Sequence, residues 1–479
     1  MTTPSTAILG IDLGTTEVKV GLVGLDGRLL AIARAGYALD VGPDGRAEQD
    51  PEAWWSAVVV AVHALRPPEA VDVVAIGVDG HGPTLVAVDA RGAAVRPAIT
   101  FLDTRITAEA EELASATGIR GWALGPLPAA LWLERNEPDA AARACWYLTT
   151  WEWLAFRLTG VAAAPAVPGQ ARPDPAVVAT ATGLHVDRLP ETTAMGALVG
   201  ALSETAAAAL HLRPGIPVAG GTNDAFASYL GAGLTDAGDA YDPGGSAGGF
   251  GVYWHEPVEV AGAFVTPAPL PGLYSVGAAM AATGRSLDWF RDAVVGGSAT
   301  TEALLEEAGT TPAGADGIVF LPYLAGERSP IWDPNATGAF VGLRLGHGRG
   351  HLTRAILEAS ALAIRHVAEP MLVAGVRVTT MRVCGGPARS ETWNQIKADV
   401  TGFPVLVPAV LETAVLGSAI LGAVAIGASP DVRTAVRSMT RIERRLEPRA
   451  ETRETYDRVY AIYAGLYPAL RPLLAEASR

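Results

Sequence analysis

The 479-residue chain has 36 Lys and Arg residues against 50 Asp and Glu residues, a formal net charge of −14. No basic stripe rises above this acidic background, which argues against nucleic acid or an anionic membrane as a partner. The length exceeds one ordinary hydrophobic core and predicts two domains. The two cysteines form no Cys-x-x-Cys motif, and the N-terminus lacks the pattern of a signal peptide, so a cytoplasmic location is expected.

The chain begins with two apolar runs within residues 7–31, which predict two strands joined by a tight turn. Polar and small residues occupy this turn and the start of the second run: Asp12, Gly14, Thr15, Thr16 and Lys19. A strand that ends in a carboxylate followed by Gly and two hydroxyls has two interpretations. It is either an ordinary hairpin or a place where a phosphate and its metal ion bind.

Strands and helices alternate along the rest of the chain, which predicts α/β layers with parallel strands. A helix is expected over residues 48–65, because Asp50 can cap it and Pro51 suits the first helical position. The other expected elements are strands at 73–78, 84–88, 217–221, 318–324 and 381–384, a helix at 353–367 and a buried helix within 413–430. The Pro-rich segment 161–177 lacks periodicity and is expected to be a surface loop.

A weak internal echo is present. Residues 10–23 and 240–254 both follow the pattern of a strand, a Gly-rich turn containing Asp, and a second strand. If the echo is real, the chain consists of two duplicated domains, each with one phosphate-binding hairpin. We place the boundary after Gly245, which gives domains 1–245 and 246–479.

Several motifs invite other functions. Residues 244–248 match the Gly-x-Ser-x-Gly elbow of serine hydrolases around Ser246, but a strand-like segment follows where the elbow needs a helix. We therefore favour a hairpin whose amides and hydroxyl face a phosphate. His347 and His351 flank two glycines that disfavour a helix, so zinc is not expected there. His81 lies between two glycines after a strand, which leaves both a structural and a binding role open.

The most informative stretch is 219–233, AGGTNDAFASYLGAG, where a strand leads into an Ala-rich helix. Asp224 can be a plain helix N-cap. However, Thr222, Asn223 and Asp224 in a row are more polar than a cap requires. A carboxylate at the carboxyl end of a strand lies where ligands bind in open α/β sheets, and it suits a base that accepts a hydroxyl proton.

The sequence resembles the FGGY carbohydrate kinases, which are sugar kinases of the actin, Hsp70 and hexokinase ATPase superfamily. Residues 338–358 fit the family's C-terminal signature, and 320–338 resemble its LPYLxGERxPxWDPxAxG segment. Residues 383–405 are similar to its adenosine motif, and 101–105 to its WxDxR motif. The resemblance implies two duplicated ribonuclease H-like α/β domains with a cleft between them, the first binding sugar and the second nucleotide.

The resemblance also implies ATP-dependent phosphorylation of a sugar hydroxyl with Mg²⁺. Asp12 would lie near the Mg²⁺, and Asp224 matches the family's catalytic base. The phosphate- and nucleotide-binding residues would be Gly14, Thr15, Thr16, Lys19, Gly245, Ser246, Gly248, Thr283, Gly284, Gly385, Gly386 and Arg389. The sugar would be contacted by His81, Asp103, Arg105, Asn223 and Asp224.

The sequence departs from the family pattern around the sugar. Ala130 stands where a Lys is usual, and 78–84 keeps Gly-His-Gly without the Gln-Met-His-Gly typical of xylulokinases. Asn223 replaces a commoner Gly, and the Pro-rich segment 161–177 replaces a stretch that usually lies near the sugar. The phosphate machinery is complete while the sugar pocket is modified.

A ketopentose such as D-xylulose is therefore the expected substrate, which makes the chain xylulokinase-like. Kinases for ribulose, erythritol, xylitol or glycerol, and a non-catalytic sugar-binding relative, remain alternatives. Retention of both Asp12 and Asp224 argues against the non-catalytic relative, because a pure binding protein needs no base. An Hsp70-like chaperone would need a strand-rich tail after residue 429, which the sequence lacks. A homodimer is left open.

Overall fold

A computed structural model describes residues 5–67, 70–245 and 247–477. The chain forms two compact units. The first unit contains residues 1–233, 269–271 and 412–440, and the second contains 234–268, 272–411 and 441–479. A single boundary after Gly245 does not describe this division, because the chain passes to the second unit after Gly233 and the stretch 412–440 belongs again to the first.

The strands are, in chain order, β1 (Ser5–Leu13), β2 (Glu17–Gly24), β3 (Leu29–Gly36), β4 (Asp40–Val41), β5 (Ala47–Gln49), β6 (Val71–Gly80), β7 (Val86–Val88), β8 (Ala98–Ile99), β9 (Trp146–Leu148), β10 (Ala164–Ala166), β11 (Thr192–Ala194), β12 (Leu198–Ala201), β13 (Pro217–Ala219), β14 (Thr222–Asn223), β15 (Asp239–Asp242), β16 (Gly249–Trp254), β17 (Phe264–Pro267), β18 (Tyr274–Ala279), β19 (Val319–Leu321), β20 (Ala339–Val341), β21 (Thr380–Val383), β22 (Val405–Pro408) and β23 (Ile442–Leu446).

The α-helices are α1 (Pro51–Ala64), α2 (Thr107–Thr117), α3 (Leu127–Asn136), α4 (Pro138–Ala141), α5 (Thr150–Thr159), α6 (Pro175–Thr182), α7 (Glu204–Leu210), α8 (Asp224–Gly231), α9 (Arg285–Trp289), α10 (Thr301–Thr310), α11 (Arg349–Val373), α12 (Glu391–Thr401), α13 (Thr413–Ala425), α14 (Val432–Met439) and α15 (Arg453–Ala477). None of the helices formed by the described residues combines the length and apolar character that a bilayer crossing requires.

The first unit is built on a mixed sheet in the order β12-β13-β6-β1-β2-β3, with β14 also paired to β6. Strands β1, β2 and β3 are antiparallel neighbours, whereas β6 runs parallel to β1 and to β13. The side chains of β1 alternate between the two faces. Leu9, Ile11 and Leu13 pack in the same core as Trp54 of α1, so the opposite face is left for Gly10 and Asp12.

Helix α13 packs on that opposite face at close range. A Cβ added to Gly10 would lie 2.3 Å from the Val415 carbonyl oxygen, and one added to Gly77 would lie 1.8 Å from that of Ser418. Only glycine allows two backbones to approach so closely. The buried helix expected within 413–430 is confirmed, and the glycines of β1 and β6 explain how it fits against the sheet.

The second unit contains a mixed sheet in the order β17-β18-β16-β15-β21-β22-β23. Its strands β18, β16, β15, β21 and β22 repeat β3, β2, β1, β6 and β13 in order, direction and position along the chain. The outer antiparallel strand differs, because β12 precedes β13 whereas β23 follows β22. The predicted α/β class and duplicated domains are confirmed, and the sequence echo corresponds to the β1–β2 and β15–β16 hairpins.

The local predictions vary in accuracy. Helix α1 has the expected cap, with Pro51 first and the Asp50 side chain accepting from the Glu52 amide, whereas residues 48 and 49 of the range predicted for it belong to β5. The prediction of a surface loop over 161–177 is wrong where β10 and the start of α6 lie. The backbone of β10 pairs in parallel with β11, and α6 begins at Pro175 with Asp174 as its N-cap. Proline is compatible with an edge strand and with the first turn of a helix, so the prolines of this segment do not by themselves indicate a loop.

Candidate active site

Three carboxylates converge at the carboxyl ends of strands in the first unit. Asp12 near the end of β1 is in register with Asp79 near the end of β6, and Thr222 of β14 pairs with Asp79 from the other side. Asp224 follows two residues later as the first residue of α8. Asp12 is 4% exposed and Asp79 is fully buried. The parallel register thus gathers acidic groups that are far apart in sequence.

Burial dominates the electrostatics of this cluster. It raises the pKa of Asp12 against the opposing charge of Lys19, whose Nζ lies 3.5 Å from Asp12 Oδ2. Burial and the charge of Asp12 hold the pKa of Asp79 well above its usual value, although the Ser418 hydroxyl donates to Asp79 Oδ2. Burial and Asp12 also raise the pKa of Asp224 to about 7. A carboxylate with this pKa is suited to accept a proton near neutral pH.

Asp224 is not the cap of its helix. The N-cap is Asn223, whose side chain accepts a hydrogen bond of 2.8 Å from the Phe226 amide. The Oδ1 atom of Asp224 accepts from the amide of Ala225 at 2.8 Å. The interpretation of Asp224 as an ordinary N-cap is therefore wrong, and its carboxylate needs another explanation.

The turn between β1 and β2 is held by its carbonyl groups. The Tyr37 hydroxyl donates to the Gly14 carbonyl, Gln49 Nε2 donates to that of Thr15 at 2.8 Å, and the Tyr37 amide donates to that of Thr16 at 3.0 Å. Among the described residues, the amides of Thr15 and Thr16 find no acceptor. Successive free amides in a turn are a feature of anion-binding sites, so the predicted role of this turn in binding phosphate stays open.

His81 lies next to this turn and is held rigidly. Its amide donates to the Leu13 carbonyl at 2.9 Å, and its Nδ1 atom is 3.2 Å from the Thr84 hydroxyl. The ring packs edge-on against Trp54 with centroids 5.3 Å apart. Burial lowers its pKa to about 4, so it is neutral at pH 7. Its buried Nε2 has no hydrogen-bond partner within the described part of the chain. Buried polar atoms are normally hydrogen-bonded, so this atom fits a partner supplied by a ligand.

Asp103 and Arg105 belong to a supporting ion-pair network. Asp103 accepts from the Ala47 amide at 3.0 Å and from Arg105 Nη2 at 2.6 Å, and its side chain is 0% exposed. These hydrogen bonds outweigh burial and lower its pKa. Arg105 also pairs with Glu48 and stacks on Trp132 at 4.4 Å. Both residues brace β5, whose Gln49 donates to the β1–β2 turn. A direct contact with a sugar stays a prediction.

The hairpin between β15 and β16 forms the corresponding turn of the second unit. Because the strand β16 follows it, the hydrolase elbow is absent, as expected. Gly248 has φ +96°, and a Cβ added to it would lie 2.0 Å from the Thr283 hydroxyl oxygen. That hydroxyl donates to the Ala247 carbonyl at 2.8 Å. Ser246 was predicted to bind phosphate and lies outside the described residues.

A small pocket adjoins this hairpin. Its lining includes Gly245, Thr283, Gly284, Pro387 and Lys397. Of the remaining predicted nucleotide residues, Gly385 approaches the hairpin backbone, since a Cβ there would lie 3.0 Å from the Pro243 carbonyl oxygen. Gly386 and Arg389 are exposed on the turn before α12. Three of the predicted nucleotide-binding residues, Gly245, Thr283 and Gly284, thus line this pocket, and Gly385 lies beside the hairpin.

The described residues contain no group of three or more His, Cys, Asp or Glu side chains arranged to hold a metal ion. Mg²⁺ commonly keeps several waters and takes only one or two protein carboxylates together with phosphate oxygens. The buried carboxylate of Asp12 beside an anion-binding turn fits that donor set. The Nδ1 atoms of His347 and His351 accept hydrogen bonds from the backbone amides of residues 344 and 348.

Two family models match the chain. They describe the FGGY family of carbohydrate kinases, the N-terminal domain over residues 7–166 and the C-terminal domain over residues 245–426. The chain belongs to the FGGY family of carbohydrate kinases.

Individual relatives agree with this assignment. The chain is 32% identical over 419 residues to the xylulose kinase of Escherichia coli (strain K12), covering 82% of this chain and 84% of that protein. It is 30% identical over 457 residues to the glycerol kinase of Thermus brockianus, covering 85% of this chain and 87% of that protein. The crystal structure of xylulose kinase from Rhodospirillum rubrum is similar with a TM-score of 0.79 at 30% identity, covering 98% and 100% of the two chains.

Sequence reasoning missed several residues of this FGGY site. Tyr37, just after β3, and Gln49 of β5 support the β1–β2 turn without any motif of their own. Asp79 had a usable signal, since VDG at the end of β6 repeats the pattern of IDL at the end of β1. Ser418 had none, because its contact with Asp79 spans 339 residues of sequence.

Proposed function

We propose that this FGGY kinase transfers the γ-phosphoryl group of ATP to a hydroxyl of a small ketose, with D-xylulose as the first candidate. The proposal is carried by the state of Asp224. This residue does not cap α8, and burial together with the charge of Asp12 raises the pKa of its carboxyl group to about 7. Phosphoryl transfer depends on positioning, charge neutralisation and a weak base. In this proposal, the first unit supplies all three of these features.

In this mechanism Asp224 accepts the proton of the sugar hydroxyl as its oxygen attacks the γ-phosphorus. The new O–P bond forms while the bond from the γ-phosphorus to the bridging oxygen breaks, and ADP leaves. The free amides of Thr15 and Thr16 hold phosphate oxygens, since their own turn is fixed by its carbonyls. Lys19, within 3.5 Å of Asp12, adds positive charge to the same place.

A bound Mg²⁺ would supply charge neutralisation on the phosphates. Asp12 would hold it, and the charge of Lys19 opposes the rise that burial causes in the Asp12 pKa. The second unit would bind the nucleotide at the pocket beside Gly245 and Thr283. The neutral His81 ring would place its unpartnered Nε2 against a sugar hydroxyl.

The similarity of this chain to xylulose kinases supports a ketopentose as the substrate. The chain is also 30% identical to a glycerol kinase, which supports a polyol as the second candidate. Release of ADP with Mg²⁺ should be measured across D-xylulose, D-ribulose, L-ribulose, xylitol, erythritol and glycerol. Stimulation by D-xylulose well above the rest supports the proposal. Stimulation by glycerol or erythritol instead would replace the ketose, and a flat background across the panel would contradict a kinase for these acceptors.

A further inference from the structure

A buried ion pair lies beneath the second-unit hairpin and has no role in the mechanism above. Lys397 Nζ of α12 lies 2.5 Å from Asp242 Oδ2, and the two side chains are 3% and 5% exposed. Removing two charges from water is costly, and an apolar pair of similar size is often at least as stable. The pair therefore calls for an explanation other than stability.

Asp242 connects this pair to the hairpin. It is the last residue of β15, and its Oδ1 accepts a hydrogen bond of 2.9 Å from the Gly244 amide. Gly244 has φ +58°, and a Cβ added to it would lie 2.2 Å from the Cys384 carbonyl oxygen. Gly244 is thus fixed between a carboxylate and a backbone carbonyl. Lys397 binds the other oxygen of that carboxylate and so orients Oδ1 toward the Gly244 amide.

Lys397 also reaches the pocket that the hairpin borders. It lines this pocket together with Asp242, Gly245 and Thr283. Its Nζ also lies over the Trp393 ring, 5.5 Å from the ring centre, in a cation–π contact. An ammonium group has three donors, so binding Asp242 leaves capacity for an anion in the pocket.

We propose that the Asp242–Lys397 pair positions the β15–β16 turn at Gly244 and Gly245 and thereby sets the affinity of the enzyme for nucleotide phosphates. The proposal rests on the proposed function, in which this turn binds those phosphates. Asp242 orients the Gly244 amide, and Lys397 both orients Asp242 and contributes positive charge to the pocket wall. The residues proposed to bind sugar all belong to the first unit, so sugar affinity should not depend on this pair.

The test uses Lys397→Met and the double variant Asp242→Asn with Lys397→Met. Binding of ADP with Mg²⁺ is measured by calorimetry, and thermal unfolding is measured alongside. Lys397→Met should weaken ADP binding about tenfold or more, the value of a charge-assisted hydrogen bond, and should lower the unfolding temperature by leaving a buried carboxylate unpaired. The double variant leaves no unpaired charge, so its unfolding temperature should recover while ADP binding stays weak.

The matched control is Arg382→Met. Arg382 Nη1 forms a 2.7 Å ion pair with Asp239 at the other end of β15, away from the hairpin. This variant should lower stability and leave ADP binding within about twofold of wild type. In the kinase assay, Lys397→Met should raise the KM for ATP and leave the KM for sugar unchanged.

Recovery of ADP affinity together with stability in the double variant would overturn the proposal, because the pair would then be merely structural. Equal weakening by Arg382→Met would overturn it as well. A wild-type protein that does not bind ADP would show that this pocket is not a nucleotide site. If wild type binds ADP and the variants behave as expected while no sugar stimulates ADP release, the proposed sugar kinase activity fails and the assignment of this pair stands.

Discussion

Replacing Asp224 with Asn removes the proposed base and leaves its surroundings nearly intact. An Asn oxygen can still accept from the Ala225 amide, and Asn223 remains as the cap of α8. The folded-state pKa of about 7 lies above the usual 3.8, so this carboxyl group makes the fold less stable as pH rises between those values. At pH 8 the neutral side chain of the Asp224→Asn variant does not carry this destabilising charge, so the unfolding temperature of the variant should not be lower than that of the wild type.

The expected loss of activity is large. A positioned general base contributes about 10²–10⁴-fold to the rate, so turnover should fall by at least about 100-fold. For a base with a pKa of about 7, about a tenth of the molecules are ionised at pH 6 and about nine-tenths at pH 8, so kcat/KM of the wild type should rise about tenfold between them. The residual rate of Asp224→Asn should lack this rise.

The assay is ADP release with saturating ATP and Mg²⁺ and the best sugar of the panel, at pH 6 and pH 8. Glu152→Gln is the matched control, because burial also raises the pKa of Glu152 to about 7 in the same unit, where it accepts from the Thr149 amide at 2.8 Å. This variant should keep both turnover and its pH dependence. Near-normal turnover of Asp224→Asn, or loss of the pH dependence in Glu152→Gln, would refute the assignment of the base.

Three further predictions follow from the same unit. His81→Ala should raise the KM for sugar about tenfold, the value of one hydrogen bond at its buried Nε2, and leave the KM for ATP unchanged in steady-state assays. Asp12→Asn should raise the Mg²⁺ concentration that gives the half-maximal rate by roughly tenfold or more, because even the loss of a group that only supports a metal ligand lowers metal affinity about 10- to 100-fold. Mn²⁺ binding, measured by electron paramagnetic resonance, should weaken in parallel. Gly77→Ala should lower the free energy of unfolding by about 1–3 kcal/mol or more in denaturant titrations, because its Cβ would lie 1.8 Å from the Ser418 carbonyl oxygen.

Each of these has a contradicting result. An unchanged sugar KM in His81→Ala would leave His81 as a packing residue against Trp54. Unaltered Mg²⁺ dependence in Asp12→Asn would remove Asp12 from the metal site. Gly465→Ala is the control for Gly77→Ala, since nothing lies within 4 Å of a Cβ added there and alanine favours a helix interior; equal destabilisation of both variants would disprove the argument from close packing.

Local sequence patterns predicted much of the fold correctly. The start of α1 at Pro51 and the polar turn after β1 depend on residues within a few positions of each other. The same holds for the β15–β16 hairpin, which a strand-like segment after 244–248 distinguished from a hydrolase elbow. The segment 161–177 was predicted wrongly because its strand depends on pairing with β11, which lies almost thirty residues further along the chain.

The sequence by itself determined the α/β class, the family, the paired Gly-rich turns and the carboxylates Asp12 and Asp224 as candidates. Only the tertiary structure decided that Asp79 joins them, that α13 returns to the first unit, and that Asn223 rather than Asp224 caps its helix. The reason is physical. Residue type and spacing specify local conformation, whereas strand register, helix packing on glycines and the burial that raises a pKa depend on residues hundreds of positions away.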